Sequence, residues 1–244
     1  MKKVKYKMGK LGKHHFMRKY SHIKTLLPDT KAATKSNIYK MIMKYDSLYL
    51  KPDEGTGGRG IYKITKTKNG FVLRSGTTSR KYHTFDALCS SLDKFLYKNK
   101  YVVQKGIHLL KHDGRSFDIR VMVQKNRKGQ LETTGIIGRL AKPGKIVTNF
   151  HSGGTPLPID ILLQSHLSRA ARANFIKRIK TLGRKASIVL RESYRRKKAF
   201  GVDIAIDSNW KPWILEINTG PDRSIFNTLK DKTMYRKILR YSKF

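Results

Sequence analysis

The sequence predicts an α+β protein built in two lobes, and three observations carry that expectation. Short β-branched or aromatic runs alternate along the chain with stretches whose apolar residues recur at helical spacing. A glycine-rich loop, "EGTGGRG", sits between two of the short runs and opens into a strand rather than a helix. Near the end, "GVDIAID" and "WILEIN" read as a pair of alternating strands joined by a turn. With 244 residues the chain is long enough for one large domain or two small lobes with a real core.

Taken in order, residues 1–30 are dense in lysine and form a basic N-terminal segment, and "LLPDT" marks a break. A helix is expected over Thr34–Met43, then strands at Leu48–Lys51, Ile61–Ile64 and Phe71–Arg74. Thr84 caps a helix whose Phe85, Leu88, Leu92, Phe95 and Leu96 recur at helical spacing. The strand Tyr101–Ile107 ends the first lobe, which spans 31–105. The second lobe, 106–244, begins with "GRSFDIRVMVQ", where Phe117, Ile119, Val121 and Val123 alternate with Asp118, Arg120, Met122 and Gln124. "KNRKGQ" is a hairpin turn into "LETTGIIGRLA". The loop "TNFHSGGTPLP" precedes two basic helices, Asp160–Leu182 and Ala186–Lys198.

Charge is the compositional outlier: 54 Lys and Arg stand against 16 Asp and Glu, a formal +38. Such a surface attracts polyanions, whether nucleic acid, anionic polymer or anionic headgroups. Where acids are so scarce, a cluster of them carries information. Cys89 is the only cysteine, which excludes an intramolecular disulfide and a cysteine-built zinc site. The basic start "MKKVKYKMGKLGKHHF" lacks the apolar stretch of a signal peptide. No run approaches the ~20 apolar residues of a membrane span. The expectation is a soluble, cytoplasmic protein.

Two stretches carry candidate chemistry. The glycines 55, 57, 58 and 60 are either a passive hairpin turn or a flap whose backbone approaches a ligand, with Lys51 at its mouth. The P-loop is excluded, because no Gly-Lys-Ser/Thr opens into a helix. In the closing pair, Glu216 and Asn218 point from one strand face, about 6.7 Å apart. A tight turn at "SNWK" brings Asp203 near Glu216, with Asp207 left at the turn. Two carboxylates and an amide oxygen are hard donors suited to Mg²⁺; otherwise Asp203 and Glu216 are solvated acids facing lysines.

The order of "LPDT", "YLKPDEGTGGRGIYKI", "VVQKGI", "FDIRVMVQ", "TNFHSGG", "GVDIAID" and "WILEINTGPD" resembles the ATP-grasp superfamily of carboxylate–amine (or thiol) ligases. It is most similar to the spore-coat-associated branch of endospore-forming bacteria, over residues 26–222. The resemblance implies an ATP-grasp fold whose two α+β lobes clasp Mg·ATP between them, with the preceding N-terminal domain of larger relatives largely absent. It implies that Lys51 reaches the α/β-phosphates, and that Gly55, Thr56, Gly57, Gly58, Arg59 and Gly60 fold over the triphosphate. Gln104, Lys105, Gly106 and Ile107 would form the adenine-reading hinge. Arg120 would contact phosphate, oriented by Asp118. Arg139 would hold the substrate carboxylate or acyl phosphate, with Lys142 and Lys145 as rivals. Asn149 and Gly153–Gly154 would border the substrate. Asp203, Glu216 and Asn218 would bind Mg²⁺, and an upstream nucleotide lysine would be Lys10 or Lys13. The implied activity is ATP-dependent activation of a small-molecule or peptide carboxylate for attack by an amine, as in peptide bond formation, in a sporulation setting. The rival from another class is a non-catalytic basic binder of nucleic acid or anionic polymer on the same scaffold. A protein kinase is disfavoured, since neither His-Arg-Asp nor Asp-Phe-Gly occurs.

Overall fold

The computed structural model describes residues 8–55, 57–96 and 100–244. In chain order, α1 (Lys10–Met17) and α2 (Ser21–Lys24) precede β1 (Thr30–Ala32), α3 (Lys35–Lys44) and β2 (Ser47–Pro52). Then come β3 (Tyr62–Thr67), β4 (Gly70–Ser75), β5 (Thr78–Tyr82), α4 (Phe85–Leu96) and β6 (Tyr101–Lys105). They are followed by β7 (Lys111–His112), β8 (Arg115–Lys125), β9 (Leu131–Leu140), β10 (Thr155–Leu157), α5 (Ile159–Leu163) and α6 (Arg169–Arg191). The last are β11 (Ala199–Ile206), β12 (Pro212–Asn218) and α7 (Thr233–Tyr241), with 3-10 turns at Phe150–Ser152 and Ser224–Thr228.

The chain divides into two compact units. One takes the residues up to Lys19 together with Asp29–Gly106; the other takes Tyr20–Pro28 and Ile107–Phe244. The lysine-dense start is therefore not one segment. It contributes α1 to the first unit and α2 to the second.

In the first unit all strand pairs are antiparallel, in the order β1-β6-β2-β3-β4-β5. Thr34 starts α3 by accepting the Asn37 N–H (3.2 Å), and Thr84 does the same for Ala87 before α4 (3.2 Å). Ile38, Met41 and Ile42 of α3 and Leu88 and Leu92 of α4 pack with Leu48, Leu50, Ile64, Leu73 and Val103 of the sheet. Strand β5 has no apolar alternation to announce it. Thr78, Ser79, Arg80 and Lys81 are exposed on the sheet edge, where polar and cationic residues discourage pairing with another chain.

In the second unit the order is β10-β9-β8-β11-β12, with β7 against β8. Both faces of β8 are buried, so the polar face expected from its alternation is covered. On one face α6 lies so close that a Cβ on Gly183 would sit 2.6 Å from Val121 Cγ1. That close approach explains the glycine, and α6 runs unbroken through the gap expected between 182 and 186. Its start is set by Ser168, whose hydroxyl accepts from Ala171 (3.4 Å); residues after Glu192 lie outside the helix. On the other face Ile225, Phe226 and Ile238 cover Met122 and Ile137. The tail beyond Asp222, unreadable as a motif, thus completes this core.

Candidate functional site

Within the first unit, β2 and β3 form the strand–loop–strand expected around the glycines, with Leu50 opposite Tyr62. Gly55, Gly57, Gly58 and Gly60 all have positive φ (130°, 74°, 77° and 67°), which is why side chains are missing there. Arg59 is exposed on this loop, and Thr56 lies outside the described residues. The start of α1 is tied to the root of the loop. The Lys10 and Leu11 N–H groups donate to Asp53 O (2.9 Å) and Oδ1 (2.8 Å), and Lys10 Nζ donates to Gly55 O (3.1 Å). Of the two candidate upstream lysines, Lys10 reaches the loop through this bond.

Lys51 Nζ donates to Gln104 Oε1 (2.6 Å), and Gln104 Nε2 donates to Thr30 Oγ1 (3.1 Å). A lysine has no acceptor, so the amide oxygen must face it. Gln104 is buried, and its side chain here positions Lys51. Thr30, opposite Gln104 in the β1–β6 register, anchors the relay; "LPDT" ends on it, but sequence alone assigned it no role. Lys105 lies over the Tyr45 ring (5.2 Å), its N–H donates to Asp29 O (2.8 Å), and the Gly106 N–H donates to Ser47 O (2.8 Å). The division between the units falls between Gly106 and Ile107.

Within the second unit, register builds a row of charge across four strands. Asp118 on β8 is opposite Arg139 on β9, Arg120 is opposite Asp203 on β11, and Asp203 is opposite Glu216 on β12. Arg139 Nε and Nη2 donate to the two oxygens of Asp118 (2.8 and 2.5 Å), and Nη2 also lies 3.1 Å from Asp203 Oδ2. Arg120 donates to Asp203 through Nε and through Nη2 (3.1 Å to Oδ2). Asp118 therefore orients Arg139, not Arg120. Neighbours two apart along a strand share a face, but directly opposed cross-strand partners meet more closely.

Burial alone would raise the Asp203 carboxyl, yet Arg120 and Arg139 hold it below the usual carboxylate range. Burial works against the charge on Arg139 as well, and Asp118 and Asp203 outweigh it. Arg139 is 3% exposed, and its Nε and Nη2 are engaged by Asp118 and Asp203 inside this network. Gly201, two residues before Asp203 on the same strand face, lets Arg120 through. A Cβ there would lie 2.8 Å from Pro221 Cβ and 3.3 Å from Arg120 Cδ. Its smallness beside Asp203 was the only sequence signal.

Glu216 and Asn218 lie half-buried on β12, two residues apart, Glu216 opposite Asp203 and Asn218 opposite Gly201. A carboxylate has about four lone-pair directions. The guanidinium contacts engage both oxygens of Asp203. Glu216 and Asn218 are hard oxygen donors of the kind Mg²⁺ takes, while among the described residues no three His, Cys, Asp or Glu side chains group to hold a metal. Asn149 precedes the 3-10 turn, its carbonyl accepting from Ser152 (2.9 Å) and Gly154 (3.0 Å). Asp207 stays out of the row: its carboxylate accepts from the Asn209 and Lys211 N–H groups (2.9 and 3.0 Å) and from Trp213 Nε1 (2.8 Å), shaping the turn.

The sequence profile of YheC/D-like ATP-grasp proteins matches residues 5–244. Endospore coat-associated protein YheD of Bacillus subtilis (strain 168) is 30% identical over 189 residues, covering 75% of this chain and 41% of the relative. Endospore coat-associated protein YheC of the same organism is 23% identical over 217 residues, covering 86% and 58%. The chain thus spans about half the length of these curated relatives. Among solved structures, N5-carboxyaminoimidazole synthetase from Staphylococcus aureus complexed with ADP aligns with TM-score 0.56 at 13% identity, over 96% of this chain and 51% of that one. The ADP complex of N5-carboxyaminoimidazole ribonucleotide synthetase (purK) aligns with TM-score 0.54 at 11% identity, over 95% and 50%. At such identity the likeness establishes the fold, which is ATP-grasp of α+β class.

Proposed function

The chain belongs to the YheC/D-like ATP-grasp family, and from that premise we propose that it is an ATP-dependent ligase joining a carboxylate to an amine. The observation that carries the proposal is the row Arg139–Asp118–Arg120–Asp203, ending on β12 at Glu216 and Asn218. It places two guanidinium groups, each held by a carboxylate, beside the oxygen donors Glu216 and Asn218, groups of the kinds that phosphoryl transfer uses.

The reaction class is transfer of the γ-phosphoryl group of ATP to a carboxylate oxygen, with the β,γ-bridging P–O bond breaking. The amine then forms the C–N bond as the C–O bond to phosphate breaks. Lys51, held by Gln104, binds the α/β-phosphates as a point charge, and the backbone N–H groups of the glycine loop cover the phosphate chain. Arg120 neutralises phosphate oxygens, and its guanidinium is kept in place by Asp203. Arg139 and Asp118 act one step back, fixing Asp203. Glu216 and Asn218, with Asp203 beside them in register, would hold Mg²⁺, which when bound neutralises charge on the phosphates.

The test is an ATP-dependent product screen by mass spectrometry over candidate carboxylates and amines, with ADP release measured in parallel. ADP release that requires both a carboxylate and an amine is the expected result. Absence of nucleotide binding in millimolar Mg·ATP, by calorimetry, overturns the ligase and favours the non-catalytic scaffold.

A further inference from the structure

The far end of the second unit's sheet carries a different set of groups. The β8–β9 hairpin lies seven residues beyond Asp118, about 23 Å along the strand at 3.3 Å per residue. Arg127, exposed on the hairpin, lies over the Phe244 ring (5.0 Å to its centroid). Phe244 meets Tyr241 edge to face (5.8 Å). Lys237 and Arg240 lie 5.6 and 5.9 Å from the Tyr241 ring centroid. Both rings are partly exposed. The acid at this end, Glu132, accepts from Asn126 and from Tyr241 Oη, at 2.5 Å each.

Helix α6 meets the same hairpin from the opposite face of the sheet, Gly183 lying against Val121 while Ile238 of α7 packs with Met122. Thr133 Oγ1 donates to Lys180 O (3.0 Å) and Arg191 Nη1 donates to Gly129 O (2.8 Å), which seats the helix against the hairpin. Lys177, Lys180 and Arg184 are exposed and share one stripe of α6 at spacings of three and four. Residues 169–198 hold twelve Lys and Arg and one acid, Glu192. Charge alone fits any polyanion, but a saturated polymer gains nothing from two rings flanked by cations. Unstacked bases do, because every base has a face to lay on an aromatic ring.

We propose that the surface formed by the β8–β9 hairpin and α7 binds single-stranded nucleic acid, with Arg127, Lys237 and Arg240 on phosphates and Phe244 and Tyr241 against bases. Anisotropy of a fluorescein-labelled single-stranded RNA titrated with the full chain, across a salt series, tests this. Binding at low salt should fall steeply with salt. The double substitution Arg127→Gln/Arg240→Gln should flatten the slope of log affinity against log salt by about 1.4, two contacts at ~0.7 each. Phe244→Ala should weaken binding roughly tenfold without changing that slope. Phe244→Trp should retain binding, which separates lost stacking from lost folding. Inorganic polyphosphate and poly-glutamate should compete less well per charge than unlabelled RNA. No binding at low salt, unchanged affinity in Phe244→Ala, or equal competition by polyphosphate each overturns the proposal. Nucleotide-induced thermal stabilisation should be the same in all these variants, so the outcome is separable from the ligase test.

Discussion

At Asp203 a nearly buried carboxylate serves two guanidinium groups and faces Glu216 across the β11–β12 register. Removing Arg139 would leave Asp118 and Asp203 buried with too little positive charge. Loss of one partner from such a network costs about 3–5 kcal/mol. Arg139→Met should therefore lower stability by that amount in denaturant titration. A stable Arg139→Met protein with only a raised KM for the carboxylate would return Arg139 to substrate binding. Glu216→Gln is the opposite case: it keeps shape but removes one anionic oxygen ligand. A loss of ~3–4 kcal/mol in transition-state stabilisation reduces turnover about a hundred- to a thousandfold. Its unfolding midpoint should hardly move, since Glu216 is only half-buried. Wild-type ADP release from Glu216→Gln would place the metal elsewhere.

At the scale of elements, the glycine hairpin joins β2 to β3 with four positive-φ residues, and its exposed tip carries Arg59. Few buried apolar contacts anchor such a segment, so its amides should exchange fast in the free protein. If it is a flap on phosphate, millimolar Mg·ATP should slow exchange at Gly57, Gly58 and Gly60 while leaving β4–β5 unchanged. Equal exchange with and without nucleotide makes it a passive turn. The Lys10–Gly55 and Leu11–Asp53 bonds make α1 part of this element, which sequence spacing could not show. Lysines crowd that stretch, and the fold brings Lys10 to the loop.

At the scale of the molecule, a chain of net charge +38 gains further positive charge on acidification. His14 contributes to the cost. Burial, with Arg18 and His15 nearby, lowers its pKa from 6.5 to about 4, against a smaller opposing effect of Asp29. Its Nε2 is buried without a hydrogen-bond partner. The unfolded chain takes up this proton near 6.5 and the folded chain only near 4. The stability from keeping His14 neutral is thus complete above 6.5 and declines as pH falls through that window. His14→Leu should flatten the dependence of the unfolding free energy on pH between those values. An unchanged slope would assign the acid sensitivity to other groups. No helix among the described residues is long and apolar enough to cross a membrane.

Alternation, turn residues and a full series of motifs were enough to predict an α+β chain, the glycine hairpin, the paired strands at Asp203 and Glu216, and the ATP-grasp family. These are local signals, and local backbone preference and side-chain period set them. The tertiary structure decided which charges meet. Asp118 and Arg120 are neighbours in sequence on one strand face, yet each takes a partner from another strand, because register sets the short distances. It also decided that Gln104 holds Lys51 and that α6 continues through Gly183 against Val121. Likewise, it folds the motif-free tail over Met122 and Ile137. Each of these depends on contacts between residues far apart in the chain, which no period within one segment encodes.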